Sequence, residues 1–385
     1  MKIILYSQNI WGVGHFFRSL EICRALSQHE VILIIGGDRV DVPLPPHVRP
    51  IQLPPIMTDR EYRRLFTTEP GLSLEQAKRL RKDRLFRLIG EEAPDIFVVE
   101  LYPFGRNAFR FELDPVLEGI RKKALPRCFV VCSLRDILVE KKDQEAYEKR
   151  VVRNLNRYFD ALLIHSDPEV LPLELTFSRV AEITIPIRYT GYVAQKPPQA
   201  TRSELRRRLG IGENEVLIVV SAGGGKAGAV LIRSVIAAYH NLRIQKPSRL
   251  CAFAGPYMSQ ADFDRIKQKS EKGVYFSRFS NEFLSYLKSA DLSVSMAGYN
   301  TSMNILATGV PAAVWPFSRD REQVLRAKRL WRLGALTILK ETDLKPASLS
   351  AIMGFMLSHP PQHLARIDLN GANKTAALLV ELSGN

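Results

Sequence analysis

Short apolar runs alternate with helix-length stretches along this chain, and the alternation occurs twice. The runs are KIILYS, VILIIGG, DIFVVE, CFVVCS and ALLIHS, then VLIVVS, LCAFAG, DLSVS and PAAVWP. They are nearly continuous in Val, Ile, Leu, Ala and Phe rather than alternating apolar with polar. Strands covered on both faces read this way, and they belong to parallel sheets whose crossovers are helices. Two open, doubly wound, Rossmann-like α/β sheets are therefore expected, with ligands beyond the carboxyl ends of the strands. The first series ends near Thr190–Val193. Residues 194–200, AQKPPQA, are polar, proline-bearing and aperiodic, as a linker is. The expected domains are 1–193 and 194–368. Residues 369–385, after the break at His359-Pro-Pro361, hold a final helix (Gly371 to Leu382) expected to cross back to the first domain. A length of 385 residues suits two domains at ~100–200 residues each.

Composition narrows the class. No apolar run is long enough to span a bilayer. The start, MKIILYSQ, enters a strand directly and lacks the charged, apolar and cleavage regions of a signal peptide. Cys23, Cys128, Cys132 and Cys251 form no C-x-x-C pair and have no histidine at metal-ligand spacing. A reduced, cytoplasmic setting fits this usage. The net charge is +15, which favours phosphorylated or otherwise anionic partners. Part of it lies in a basic 60–87 stretch: Arg60, Arg63, Arg64, Lys78, Arg79, Arg81, Lys82, Arg84 and Arg87. That stretch reads either as a solvated helix face or as a peripheral contact with an anionic membrane. No nucleic-acid motif is present, and no nucleic-acid partner is expected.

Three segments carry chemistry. Gly12-Val-Gly14-His15 follows the first strand and leads into a helix. Its glycines let backbone approach a ligand, and His15 is suited to acid–base work or to a packed, capping role. Ser221-Ala-Gly223-Gly224-Gly225 sits between a strand and a helix. It matches neither the P-loop nor the dinucleotide fingerprint, but it offers backbone N–H groups to a diphosphate. The third segment is Ser295-Met-Ala-Gly298-Tyr-Asn300-Thr301-Ser302-Met-Asn304, running on to Gly309-Val-Pro311 and then Glu322-Gln323. Asp262-Phe-Asp264 is a D-x-D, yet it opens a helix, where acids are favoured; no metal site is expected.

The third segment resembles the donor-binding region of GT-B glycosyltransferases, in particular the MurG-like (family 28) group, related to the N-acetylglucosaminyltransferase that makes lipid II. Within it, the likeness is to a subgroup of glycosyltransferases carrying a G-Y-N-T motif. The Gly-His loop, the triple glycine and the Glu-Gln pair fall in that family's order. The resemblance implies a GT-B fold with an N-terminal acceptor domain and a C-terminal nucleotide-sugar domain. It places Gly298, Asn300 and Thr301 at a helix N-terminus on the donor diphosphate. Arg278 and Phe279 fall in the stretch lining the nucleobase, and Glu322 and Gln323 on sugar or ribose hydroxyls. Where relatives carry a glutamate on the ribose, this chain has Asn304, which bonds a hydroxyl without charge assistance.

On the acceptor side, Glu100, Arg106, Arg135, Asp136 and His165 lie at or beyond strand ends, either as structural caps and ion pairs or as acceptor ligands. Glu100 and Asp136 are secondary candidates for the base, or for orienting His15. The expected activity is inverting, metal-independent and cofactor-free transfer from a UDP-sugar donor to an unidentified acceptor hydroxyl, with His15 as base. Two rivals remain. One is a nucleotide-sugar hydrolase, whose G-x-G-H-x-x-R loop matches Gly12, Gly14, His15 and Arg18. The other is a non-catalytic nucleotide-sugar-binding subunit.

Overall fold

The computed structural model describes residues 1–9, 14–59, 64–224, 228–242, 246–268, 270, 273–318, 320–360 and 366–384. The chain forms two compact units, Met1–Val193 with Asn370–Asn385, and Ala194–Leu369.

Unit 1 runs β1 (Lys2–Ser7), α1 (Gly14–Ala25), β2 (Glu30–Ile35), β3 (Val48–Gln52), β4 (Ile56–Thr58), β5 (Leu65–Thr67), α2 (Leu74–Glu92) and β6 (Ile96–Glu100). It continues with α3 (Arg110–Arg121), β7 (Phe129–Arg135), α4 (Gln144–Tyr158), β8 (Ala161–His165) and β9 (Ile187–Tyr189). The main sheet has the order β3-β2-β1-β6-β7-β8-β9, all parallel; β4 and β5 form a separate antiparallel pair. The strand order reverses between β1 and β6. Crevices in doubly wound sheets open at such a switch point, because the crossovers on its two sides leave in opposite directions.

Successive side chains on these strands point to opposite faces, and both faces are covered. Ile4, Tyr6, Phe97 and Val99 pack on one side with α2, α3 and α4 residues such as Leu85, Leu113 and Leu155. Ile3, Leu5, Val98 and Leu163 pack on the other with Phe16, Leu20 and Ile22 of α1. The last helix, α12 (Gly371–Leu382), adds Ala372 and Leu379 to that second layer. Its first residue has to be glycine: a Cβ there would stand 2.5 Å from the Gly191 carbonyl oxygen and 2.6 Å from the Tyr192 carbonyl carbon. The close approach lets the Gly371 N–H bond the Tyr192 carbonyl at 3.0 Å.

Unit 2 runs α5 (Arg202–Arg208), β10 (Val216–Ser221), α6 (Ala229–His240), β11 (Ser248–Phe253), α7 (Gln260–Gln268), β12 (Val274–Ser277) and α8 (Phe283–Ser289). It ends with β13 (Leu292–Met296), α9 (Tyr299–Thr308), β14 (Ala312–Trp315), α10 (Arg321–Arg332), β15 (Thr337–Ile338) and α11 (Pro346–Ser358). Its parallel sheet has the order β12-β11-β10-β13-β14-β15, reversing between β10 and β13.

One reading of the basic stretch needs correction. Arg81, on α2, is fully buried and contributes nothing to a surface patch. Its Nε and Nη2 donate to the two oxygens of Glu112 on α3 at 2.8 and 2.6 Å, and the Tyr6 hydroxyl also donates to that carboxylate. A buried guanidinium needs a bidentate counter-charge of this kind. Arg79, Lys82, Arg84 and Arg87 remain exposed on α2, interleaved with the exposed acids Glu75 and Asp83. Arg60 and Arg63 lie outside the described residues. No helix among the described residues is long and apolar enough to cross a membrane.

Candidate active site

The switch point of unit 1 is filled with charged side chains. His15 is the second residue of α1, just beyond β1, and Glu100 is the last residue of β6, the strand beside β1. Their Nδ1 and Oε1 atoms are 2.6 Å apart. Arg18 lies three residues on, along the same face of α1, and donates to the same carboxylate oxygen. Its Nη2 is also 3.0 Å from His15 Nδ1. One nitrogen cannot both donate to Glu100 and accept from Arg18. The shorter contact to a carboxylate assigns Nδ1–H as the donor, which leaves the lone pair on Nε2.

Burial pushes the His15 pKa down to about 3; the Glu100 charge opposes the shift and Arg106 and Arg18 add to it. The imidazole is therefore neutral at physiological pH. Burial alone would raise Glu100, but the facing His15, Arg18 and Arg106 outweigh it and hold the carboxyl below its usual range. Arg106 follows β6, with its Nε 3.9 Å from Glu100 Oε2. Burial lowers its pKa, partly offset by Glu100, and nearby Arg135 lowers it further.

The other candidates of unit 1 divide. Asp136 is buried and accepts the Ile137 backbone N–H at 3.0 Å; the carboxylate that His15 bonds is that of Glu100. Arg135 ends β7. The acceptor-side reading of His165 is corrected. The residue is fully buried, with Nε2 2.7 Å from the Ser133 hydroxyl and Nδ1 2.9 Å from the Thr190 hydroxyl. Both ring nitrogens are engaged inside the core, so no ligand reaches them. Gly12 lies outside the described residues; Gly14 opens α1.

Unit 2 builds its switch point from small groups. Ser221 ends β10 opposite Ser295 of β13, and its hydroxyl accepts the Gly223 N–H at 3.1 Å. Gly223 has φ +60, a left-handed turn that glycine enters without strain. A Cβ there would lie 3.6 Å from the Thr301 hydroxyl, so this turn and the start of α9 are neighbours. Gly224 continues the turn, and Gly225 lies outside the described residues. Gly298 is the N-cap of α9, with Asn300 and Thr301 in its first turn and Asn304 buried one turn on. The unsatisfied N–H groups of a helix start favour an anion.

Around this turn, Phe279 is exposed, while Arg278 stacks 4.2 Å from the centre of the Phe263 ring and donates to the Met258 carbonyl. Glu322 and Gln323 are in the first turn of α10. The Gln323 amide serves that helix start, donating to Asp320 at 2.9 Å and accepting the Phe317 N–H at 3.3 Å. Asp262 pairs with Arg233 and Arg265 and caps α7 through Ser259. Arg18, which the sequence offers only through the hydrolase-like loop, sits at helical spacing from His15. One residue escaped the sequence reading of the sites: Arg326, four residues beyond Glu322, is buried 5.4 Å from the Tyr299 ring centre and donates to the Ala297 carbonyl beneath the start of α9. Its spacing from Glu322 was the available signal.

Two parallel-sheet units of this topology define a class, the two-domain Rossmann-like GT-B fold. Residues 217–381 match the glycosyltransferase family 28 C-terminal domain. The UDP-N-acetylglucosamine--N-acetylmuramyl-(pentapeptide) pyrophosphoryl-undecaprenol N-acetylglucosamine transferase of Carboxydothermus hydrogenoformans is 27% identical over 191 residues, 48% of this chain. The chain spans only 50% of that relative's length. Among solved structures, Acinetobacter baumannii MurG has a TM-score of 0.53 at 14% identity, covering 98% of this chain and 94% of that one. The UDP-GlcNAc 2-epimerase of Methanocaldococcus jannaschii has a TM-score of 0.61 at 11% identity, covering 99% of this chain and 100% of that one. The structural likenesses show the fold alone. The C-terminal domain match and the sequence relatives make the chain similar to the MurG-like, family 28 group.

Proposed function

We propose that the protein is an inverting glycosyltransferase. It moves a hexose or N-acetylhexosamine from a UDP-linked donor to an acceptor hydroxyl. Unit 2 holds the donor through the Gly223–Gly224 turn and the Gly298–Thr301 helix start, with Phe279 on the uracil side and Asn304, Glu322 and Gln323 toward hydroxyls. His15 Nε2 removes the acceptor proton as the acceptor oxygen bonds to the anomeric carbon. The bond from that carbon to the diphosphate oxygen breaks, and the electron pair leaves with UDP. Glu100 stabilises the imidazolium that forms. Backbone N–H groups stabilise the departing charge, a task that metal-dependent transferases give to a cation. The observation that carries this reading is a neutral His15 whose Nδ1 is fixed by Glu100, in a chain with a family 28 C-terminal domain.

Calorimetry with UDP, ADP, GDP and TDP tests the donor, and UDP is expected to bind best. A clear preference for another base overturns the UDP assignment. The second reading is a nucleotide-sugar hydrolase, favoured by Arg18 beside His15 as in the G-x-G-H-x-x-R loop. Free sugar released from the donor without any acceptor, at the full turnover rate, establishes the hydrolase and refutes the transferase.

A further inference from the structure

Arg106 is a buried cation whose binding capacity is not used within the described part of unit 1. Its side chain is 9% exposed, and its Nε and Nη2 atoms are buried without a hydrogen-bond partner. The facing carboxylate, Glu100, does not supply one: the 3.9 Å from Nε to its Oε2 is too long for a hydrogen bond, and its other oxygen, Oε1, is bonded by His15 and Arg18. Glu100 Oε2 is likewise left without a hydrogen bond. Buried N–H groups in native proteins find partners, and each exception calls for a cause. The position is also held against local preference. Arg106 adopts φ 57 and ψ 20, in the left-handed region that residues with a Cβ rarely enter, and Leu101, at the other end of the same loop, has φ 67. Strain of this kind gathers where the surroundings fix a side chain for binding.

A guanidinium is a planar fork that matches an anion with two or more oxygens, carboxylate or phosphate. The place of this fork identifies whose anion it is. Arg106 is one carboxylate away from His15, on the unit opposite in role to the donor-holding one. We propose that Arg106 is a specificity residue that binds an oxyanion carried by the acceptor, so the acceptor is an acid and not a neutral sugar or alcohol. The inference rests on the transferase reading for the word acceptor; the oxyanion site itself does not depend on it.

The test uses the full chain saturated with UDP, so that the diphosphate site of unit 2 is filled. Inorganic pyrophosphate and malonate are then titrated by calorimetry at low salt. One of them is expected to bind saturably with one equivalent, and which one binds tighter tells phosphate from carboxylate. Arg106→Gln is expected to weaken that binding at least 10-fold. Arg106→Lys, which keeps the charge and loses the fork, is expected to fall between. UDP affinity is expected to be the same in all three proteins. If no anion binds beyond the UDP site, or if both variants bind it as the parent does, the proposal is overturned. A lowered unfolding temperature with unchanged anion affinity makes Arg106 structural and overturns it too. Should Arg106→Gln fail to fold, Arg106→Lys carries the comparison. Should UDP itself not bind, the nucleotide-sugar reading fails, and the same titration without UDP still decides the oxyanion site.

Discussion

The two switch points share a topology and differ in chemistry. In unit 1, the ends of β1 and β6 carry His15, Arg18, Glu100 and Arg106, nearly all of it ionic and buried. In unit 2, the ends of β10 and β13 carry serines, glycines and the start of a helix. Backbone N–H groups at a helix start hold a diphosphate without moving a proton. A histidine fixed by a carboxylate moves a proton but holds little. Under the proposed function, this difference would give unit 1 the acid–base work and unit 2 the holding.

The sharpest way to break that division is His15→Ala. Turnover is expected to fall ~10²–10⁴-fold, the usual share of general acid–base catalysis. UDP affinity, measured by calorimetry, is expected to stay put. If donor binding collapses while the chemical step survives, the division of labour is wrong and His15 is a clamp.

Glu100→Gln comes next. It leaves Arg18 and Arg106 buried without their counter-charge, a loss expected to cost about 3–5 kcal/mol of stability. Denaturant unfolding checks this, with Asp136→Asn as the comparison, expected to cost less. Equal losses would mean that Glu100 is no more than a strand-end cap.

A smaller effect sharpens the contrast through pH. Burial lowers both His15 and His165 to about 3, below the usual 6.5. The folded state then binds fewer protons than the unfolded chain between these values. The stability they contribute is complete above pH 6.5 and is lost as pH falls toward 3. The slope is about 1.4 kcal/mol per pH unit for each histidine within that window. Unfolding measured from pH 7.5 to 5 is expected to show this decline, and His165→Gln to flatten it by one proton. An unchanged slope would place a charged His165 in the core. The smallest expected effect is none: EDTA should leave turnover unaltered. Activity lost with the chelator and restored by magnesium or manganese would show that N–H groups alone do not hold the diphosphate, and would reopen Asp262 and Asp264.

Much of the fold was legible in the sequence. The nine apolar runs all became inner strands or their continuation, because burial on both faces leaves a run without polar interruptions. The four strands at the sheet edges, β3, β9, β12 and β15, gave no such signal. An edge strand pairs on one side only and tolerates Pro50, or the exposed Arg188 and Tyr275, within it. Spacing along one helix would also have led from Glu322 to Arg326.

The sequence by itself determined two parallel sheets and the glycine turn at Gly223 that follows β10. These depend on the period of burial and on backbone freedom, which are local. The tertiary structure decided the fate of each charge. Arg81 and Arg106 look alike in the sequence, yet one is saturated by Glu112, 31 residues away, and the other is left with N–H groups to spare. His15 stands at the start of the helix after β1 and His165 ends β8, yet one meets Glu100 from 85 residues away and the other is sealed between two hydroxyls. Whether a buried charge is a structural pair or a working group depends on what the fold brings within hydrogen-bond reach. No local pattern encodes a partner that many residues distant.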